Sequence, residues 1–343
     1  MSDLFVRIEG RAGRITLQRP EALNALTYDM VLAIETALDE WRTADIDLVL
    51  LDAEGDRAFC SGGDIADMYT SGQEGNLDYG RQFWRDEYRL NAKIFEYPKP
   101  VVSFLQGFTM GGGVGVGCHG SLRIVGDSSQ IAMPECGIGL VPDVGGSLML
   151  ALAPGRLGEY LGMTATRMGA ADAIFAGFAD AYAPEADWPS LKAQMVETGK
   201  LPKLNAPAPA GTLEELLPEI DRHFAGETQN DVIRSLETDD TPFAQAALKA
   251  LKRNAPLAVG CAMTIIRRLR SASSIRQALD QEFRYTFRAV AQGDFIEGIR
   301  AAIIDRDRSP KWAHDDHGAV TDMDVSQMLM PLGDNALNWK EMP

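Results

Sequence analysis

An α/β core followed by a helical C-terminal region is the fold class that the sequence predicts. Three observations predict it. Short strand-type runs, turns and amphipathic helices alternate up to about Pro184; a proline-rich break follows; beyond it apolar residues recur only at three- and four-residue spacing. In chain order, residues 4–8 and 14–18 are two β-type runs joined by a glycine turn, a hairpin signal. Thr27 stands where a helix N-cap belongs, and Met30, Val31, Ile34, Leu38 and Trp41 then give one apolar face. Residues 47–51 (DLVLL) form a buried strand, a helix is expected around 83–95, and Pro98 and Pro100 break the chain before the strand VVSFL. A glycine-rich turn into an apolar helix follows, then strands at 122–125 and 130–133.

The expected organisation is a core over residues 1–201, a linker over 202–212 and helices over 213–312. Residues 202–211, PKLNAPAPAG, carry three prolines and no apolar periodicity. Residues 259–269, 275–290 and 295–304 show helical spacing, and 313–343 is expected to be an irregular tail. No fixed-period repeat is present.

Composition narrows the function classes. The 343 residues carry 33 Lys and Arg against 49 Asp and Glu, a net charge of −16. So anionic a chain is repelled by nucleic-acid backbones and anionic membrane surfaces, and no partner of either kind is expected. A small anionic ligand remains compatible, since local backbone N–H groups bind anions whatever the total charge. Cys60, Cys118, Cys136 and Cys261 form no CxxC pair, so neither a disulfide framework nor a thiolate zinc site is suggested. Asp3 and Arg7 interrupt what would be the apolar core of a signal peptide, and no run of about 18 apolar residues occurs, so a cytoplasmic protein is expected.

Four segments carry candidate chemistry: AFCSGGD (58–64), GFTMGGGVG (107–115), MPE (133–135) and VPDVGG (141–146). The three rich in glycine can turn backbone N–H groups toward a ligand. If the N–H groups of Gly63 and Gly112 converge, they make a two-donor hole for a carbonyl oxygen that turns negative during attack, worth about 3–4 kcal/mol per donor. The blander alternative is that these glycines only form tight turns. Residues 115–120 match GxGxxG, but eight residues separate them from the preceding strand, which argues against a dinucleotide site. Glu135 and Asp143 each follow a proline in an apolar stretch, where a carboxylate is costly unless solvated, paired or used. One could act as nucleophile or base while the other places water or the leaving-group proton. Helix capping is the alternative for Asp143, and capping of the following turn for Glu135.

The segments AFCSGGDIADMY, GFTMGGGVGVGCHGSLRI, MPECGIGLVPDVGGSLML and DFIEGIRAAIIDRDRSPKW resemble the crotonase (enoyl-CoA hydratase/isomerase) superfamily. The resemblance covers nearly the whole chain, except about 200–245 and the tail after Trp312. It implies a crotonase-type spiral of ββα repeats with a helical C-terminal region. It implies further that Gly63 and Gly112 supply the oxyanion-hole N–H groups and that carbonyls near Ser61 and Ile65 receive the adenine amino group of coenzyme A. The hydratases of the superfamily use two glutamates. Here Gly115 stands at the first position, Glu135 at the second, and Asp143 where glycine is usual. That pattern is similar to the thioester-hydrolase branch, in which Glu87, in DEYRLN, would lie near the acyl group.

The resemblance thus implies hydrolysis of a short branched 3-hydroxyacyl-CoA of valine breakdown, with coenzyme A as part of the substrate and no separate cofactor or metal. Hydration or isomerisation by the same fold and non-catalytic acyl-CoA binding are the alternatives. The superfamily often forms trimers or hexamers, so a homo-oligomer is open, although the helical region after residue 212 could cover the trimer face. His119 is expected to pack. His314 and His317 are expected in a polar tail with no scaffold for a metal, and Arg57 is expected to be exposed.

Overall fold

The computed structural model describes residues 3–340, which form two compact units built from interleaved stretches of chain. The first comprises 3–64, Asp86–Ala132 and Arg167–Glu214; the second comprises Ile65–Arg85, Met133–Thr166 and 215–340. The units do not follow the chain-order division at residues 201–213 that linker composition suggests. Packing is the reason. The helices Gly146–Leu152 and Leu157–Thr164 are almost wholly buried, and they lie against the C-terminal helix Pro256–Arg268.

The first unit holds the nine strands found among the described residues: β1 (Leu4–Glu9), β2 (Ala12–Leu17), β3 (Leu48–Ala53), β4 (Ala58–Cys60), β5 (Val101–Leu105), β6 (Phe108–Met110), β7 (Leu122–Val125), β8 (Gln130–Ala132) and β9 (Ala181–Tyr182). One sheet has the order β1-β2-β3-β5-β7-β9, parallel after the β1–β2 hairpin, and the other the order β4-β6-β8. Parallel strands are covered on both faces and so need apolar side chains throughout. Leu48, Leu50, Val102, Phe104 and Ile124 accordingly form one buried cluster with Trp188 and Met195. The expected cap is present: Thr27 accepts the Met30 N–H at the start of helix Tyr28–Trp41.

β4 and β6 lie in segments that the sequence presents as glycine turns. Each has only three residues, β6 between Gly107 and Gly111 and β4 ending two residues before Gly62, too short for alternation to register, and they exist because β4 pairs with β6 and β6 with β8.

The second unit is helical. Its helices include Ala66–Gln73, Gln229–Glu237, Pro242–Arg253, Ile275–Gln292 and Phe295–Ile299. The expected irregular tail contains a helix, Asp322–Met328, opened by a capping box in which Thr321 and Asp324 exchange hydrogen bonds. Residues 341–343 of that tail lie outside the described residues. Among the described residues no helix is long and apolar enough to cross a membrane.

Candidate functional site

In the first unit, strand pairing brings two glycine turns together. β4 runs parallel to β6, so both chains leave their strands at the same end. After β4, Ser61 donates its N–H to Leu23 O, and the chain is bridged to Leu26 by Leu26 N–H to Gly62 O (2.8 Å) and Asp64 N–H to Leu26 O (2.7 Å). Gly62 has φ +121°, a conformation open only to glycine. After β6, Gly111 (φ +51°) turns the chain into the helix Gly112–Gly117. A Cβ on Gly113 would lie 2.3 Å from Cys60 O, so the two turns are in backbone contact.

A Cβ on Gly112 would lie 3.2 Å from the Gly63 nitrogen and 2.9 Å from Glu87 Oε1. The Gly63 amide, the start of the Gly112 helix and the Glu87 carboxyl therefore converge on one point. Gly112 lies in the first turn, where N–H groups have no partner within the helix. Glu87 is 3% exposed, and its helix is anchored by Arg89, which bridges Glu35 (Nε–Oε1 2.6 Å) and Asp86 (2.6 Å), while Tyr28 donates to Asp86. Glu87 is thus not a solvated helix residue. Ser61, on the same loop, is half-buried.

In the second unit, Pro134 leads into the 3₁₀ turn Glu135–Ile138, which is closed by Gly139 with φ +75°. Cys136 O accepts the Ala255 N–H (2.9 Å) and Gly139 O accepts the Tyr285 hydroxyl (2.9 Å), so the turn is tied to two C-terminal helices. Glu135 and Asp143 are each 4% exposed. The cap positions themselves are held by Pro134, before the 3₁₀ turn, and Gly145, before the helix Gly146–Leu152, neither of which makes a side-chain cap bond. Between Asp143 and Gly145 stands Val144 with φ +52°, a left-handed conformation that costs a β-branched residue about 1–3 kcal/mol.

The group that holds this loop is Glu282, on the buried face of helix Ile275–Gln292. It accepts the Gly145 N–H at Oε2 (2.9 Å) and, at Oε1, the Ser147 N–H (3.2 Å) and the Ser147 hydroxyl. Burial pushes its carboxyl up to about 8, the Ser147 bond opposes this, and the negative charge of Asp143 raises it further. Sequence reasoning missed Glu282. A signal existed, because the acid falls on the apolar stripe with Ala278, Leu279, Phe283 and Thr286.

Ile65, at the start of helix Ala66–Gln73, is half-buried, and its carbonyl accepts the Tyr69 N–H at 3.3 Å. His119 is buried with its ring edge-on to Phe95. His317, expected in a polar tail, is instead buried between Gln229 Oε1 (2.9 Å) and Leu251 O (3.0 Å), and the surrounding helices supply the scaffold. Among the described residues no group of His, Cys, Asp or Glu is arranged to hold a metal ion. Arg57 is exposed.

Residues 12–329 match the family model described as enoyl-CoA hydratase/isomerase. The chain is 34% identical over 351 residues to the mitochondrial 3-hydroxyisobutyryl-CoA hydrolase of Danio rerio, with 97% of this chain and 91% of that protein covered. It is 32% identical to the human protein of the same name, at 98% and 91% coverage. Among solved structures, one described as an enoyl-CoA hydratase from Rhodobacter sphaeroides is 56% identical with a TM-score of 0.96, covering 98% of this chain and all of that one. A carnitinyl-CoA dehydratase from Mycobacterium thermoresistibile is 38% identical with a TM-score of 0.93 and 99% coverage of both chains. A family model matched from residue 12 to residue 329 and relatives matched over nearly the whole chain lead to one conclusion: the protein is a member of the crotonase (enoyl-CoA hydratase/isomerase) superfamily.

Proposed function

We propose that the protein hydrolyses the thioester of a short branched 3-hydroxyacyl-CoA, foremost 3-hydroxyisobutyryl-CoA, releasing 3-hydroxyisobutyrate and coenzyme A. The observation that carries this reading is the carboxylate pattern. Gly115 is buried without a side chain, while Asp143 is a buried acid on a strained loop eight residues after Glu135. Hydratase chemistry of this family employs a glutamate at the position of Gly115; a hydrolase needs a group that delivers oxygen to the carbonyl and one that manages the proton of the departing thiol. Full-length kinship to proteins named for that hydrolysis supports the same reading.

In this reading the carbonyl oxygen takes the N–H groups of Gly63 and Gly112, which are strongest toward the oxyanion because they are fixed before reaction. Glu135 either attacks the carbonyl carbon, forming a mixed anhydride that water then opens, or accepts the proton of an attacking water. On both routes the C–S bond breaks, the thiolate gains a proton, and Asp143 positions water or supplies that proton. Glu87 lies by the acyl group, and the backbone near Ser61 and Ile65 receives the adenine. Coenzyme A enters as part of the substrate and no cofactor is required. A homo-oligomer and a cytoplasmic location complete the proposal, the latter in contrast to relatives named as mitochondrial.

Thiol release from 3-hydroxyisobutyryl-, 3-hydroxypropionyl-, acetyl- and crotonyl-CoA tests the reading. The alternative, hydration, is favoured by the name of the 56% identical structure. Loss of the enoyl absorbance of crotonyl-CoA with no thiol from any substrate would establish it instead. Turnover in heavy-oxygen water separates the two routes, since label in Glu135 requires the anhydride.

A further inference from the structure

Glu282 is a fully buried carboxyl for which the proposed chemistry has no role. Its oxygens are spent on one short stretch of chain, the Gly145 N–H and both donors of Ser147, immediately after Asp143 and the strained Val144. A residue that only stabilised the start of this helix could be local, a Ser or Asp at the cap position. Here the cap position is glycine, and the acceptor arrives from a helix more than 130 residues later. Asp143 is the charged group whose field reaches Glu282. Of the charges on the other helices packed on Ile275–Gln292, Arg267 bonds Glu159, Glu297 holds Arg300 and Asp324 closes its own capping box, while Arg268 meets this helix at Gln281. The helix Gly146–Leu152 has no ionisable side chain, and Cys261 is a buried thiol pushed far up by burial.

We propose that Glu282 is a positioning residue acting through Asp143: anchored on Gly145 and Ser147, it fixes the strained loop that carries Asp143 and holds one proton between the two carboxyl groups. The proposal rests on the role given to Asp143 above. Two carboxyls in one buried site do not both ionise readily, so the proton resides on Glu282, and Asp143 carries the charge and takes the water-positioning role rather than that of proton donor. Their titrations belong to the pair rather than to either residue. When alkaline conditions remove the shared proton, repulsion displaces Asp143 and turnover falls.

The experiment is the pH profile of kcat for thiol release by the wild-type protein, Glu282→Gln and Ser147→Ala. Wild type is expected to lose activity on an alkaline limb near pH 8. Glu282→Gln keeps the shape but cannot hold or lose the proton. It is expected to lower kcat between about ten- and a hundredfold through looser placement of Asp143, with KM little changed and the alkaline limb abolished. Ser147→Ala removes the hydrogen bond that favours the ionised form, so its limb should move to higher pH. A purely structural Glu282 would lower the yield of folded protein and leave the limb where it was. An unchanged limb in folded Glu282→Gln overturns the proposal. Should that variant not fold, a Ser147→Ala limb that stays put or moves down overturns it. Absence of thiol release by the wild type across the acyl panel removes the hydrolase reading and this inference with it, which sets that failure apart from a failure of the proton coupling alone.

Discussion

Gly112→Ala puts a methyl group at a point 3.2 Å from the Gly63 nitrogen and 2.9 Å from Glu87 Oε1. An oxyanion bonded to Gly63 needs to sit about 2.9 Å from that nitrogen, so a methyl at 3.2 Å from it competes for the space around the donor. Loss of one such donor costs about 100- to 1000-fold in kcat, or about 2.7–4 kcal/mol. Displacement from both donors would cost more. The fold itself should tolerate the change. The backbone at Gly112 is not left-handed, alanine is a better helix former than glycine by about 1 kcal/mol, and the tighter contact is with the end of a side chain that can move. Gly113→Ala is the contrasting variant, because its Cβ would lie 2.3 Å from the Cys60 carbonyl oxygen, which moves only if β4 or the helix moves. The assay is thiol release together with thermal melting. Gly112→Ala should melt within a few degrees of wild type yet turn over at least 100-fold more slowly, whereas Gly113→Ala should lose much of its stability. Folded Gly112→Ala with activity within a few fold of wild type would refute the oxyanion hole. The double variant Gly112→Ala, Glu87→Ala should stay slow, since it relieves the Glu87 contact and leaves the methyl against Gly63.

Glu135→Gln and Asp143→Asn should each lower kcat by about 100-fold or more with KM nearly unchanged, and the double variant should lose little beyond the worse single, because groups acting as one unit are non-additive. Steady-state kinetics on protein shown to be folded by circular dichroism checks this, and near-wild-type turnover in Glu135→Gln contradicts it. Stability should also depend on Glu282. Its folded value of about 8 lies above the ordinary 4.5, so its contribution is fully present below pH 4.5 and is lost as pH rises through 8. The loss is on the order of 5 kcal/mol, and Glu282→Gln should lack it. Urea midpoints of wild type and variant between pH 5 and 9 measure the difference. Asn24→Ala should destabilise the first unit by about 3 kcal/mol. It removes the bond from Arg19 N–H to Asn24 Oδ1 and those from Asn24 Nδ2 to the carbonyls of Glu54 and Ala58 beneath the glycine turns, a loss that denaturant unfolding reads directly.

Nearest neighbours and periodicity were enough for part of the fold. The hairpin, the helix opened by Thr27, the apolar strands 48–53 and 101–105 and the helical last third all follow from local patterns whose energetics are local. The glycine turns and the acids Glu135 and Asp143 were legible because each breaks a pattern, either with a residue that has no side chain or with a charge in apolar surroundings. The rest depends on long-range pairing. β4 and β6 are too short to announce themselves and are strands because they pair; residues 133–166 join the C-terminal helices because their apolar faces pack there; His317 is buried because helices close over it. Glu87 and Glu282 look in sequence like ordinary helix acids. One lies beside Gly112 and the other is anchored on Gly145 and Ser147, across 25 to 137 residues of chain, and burial then sets the protonation of the second, which no local pattern encodes.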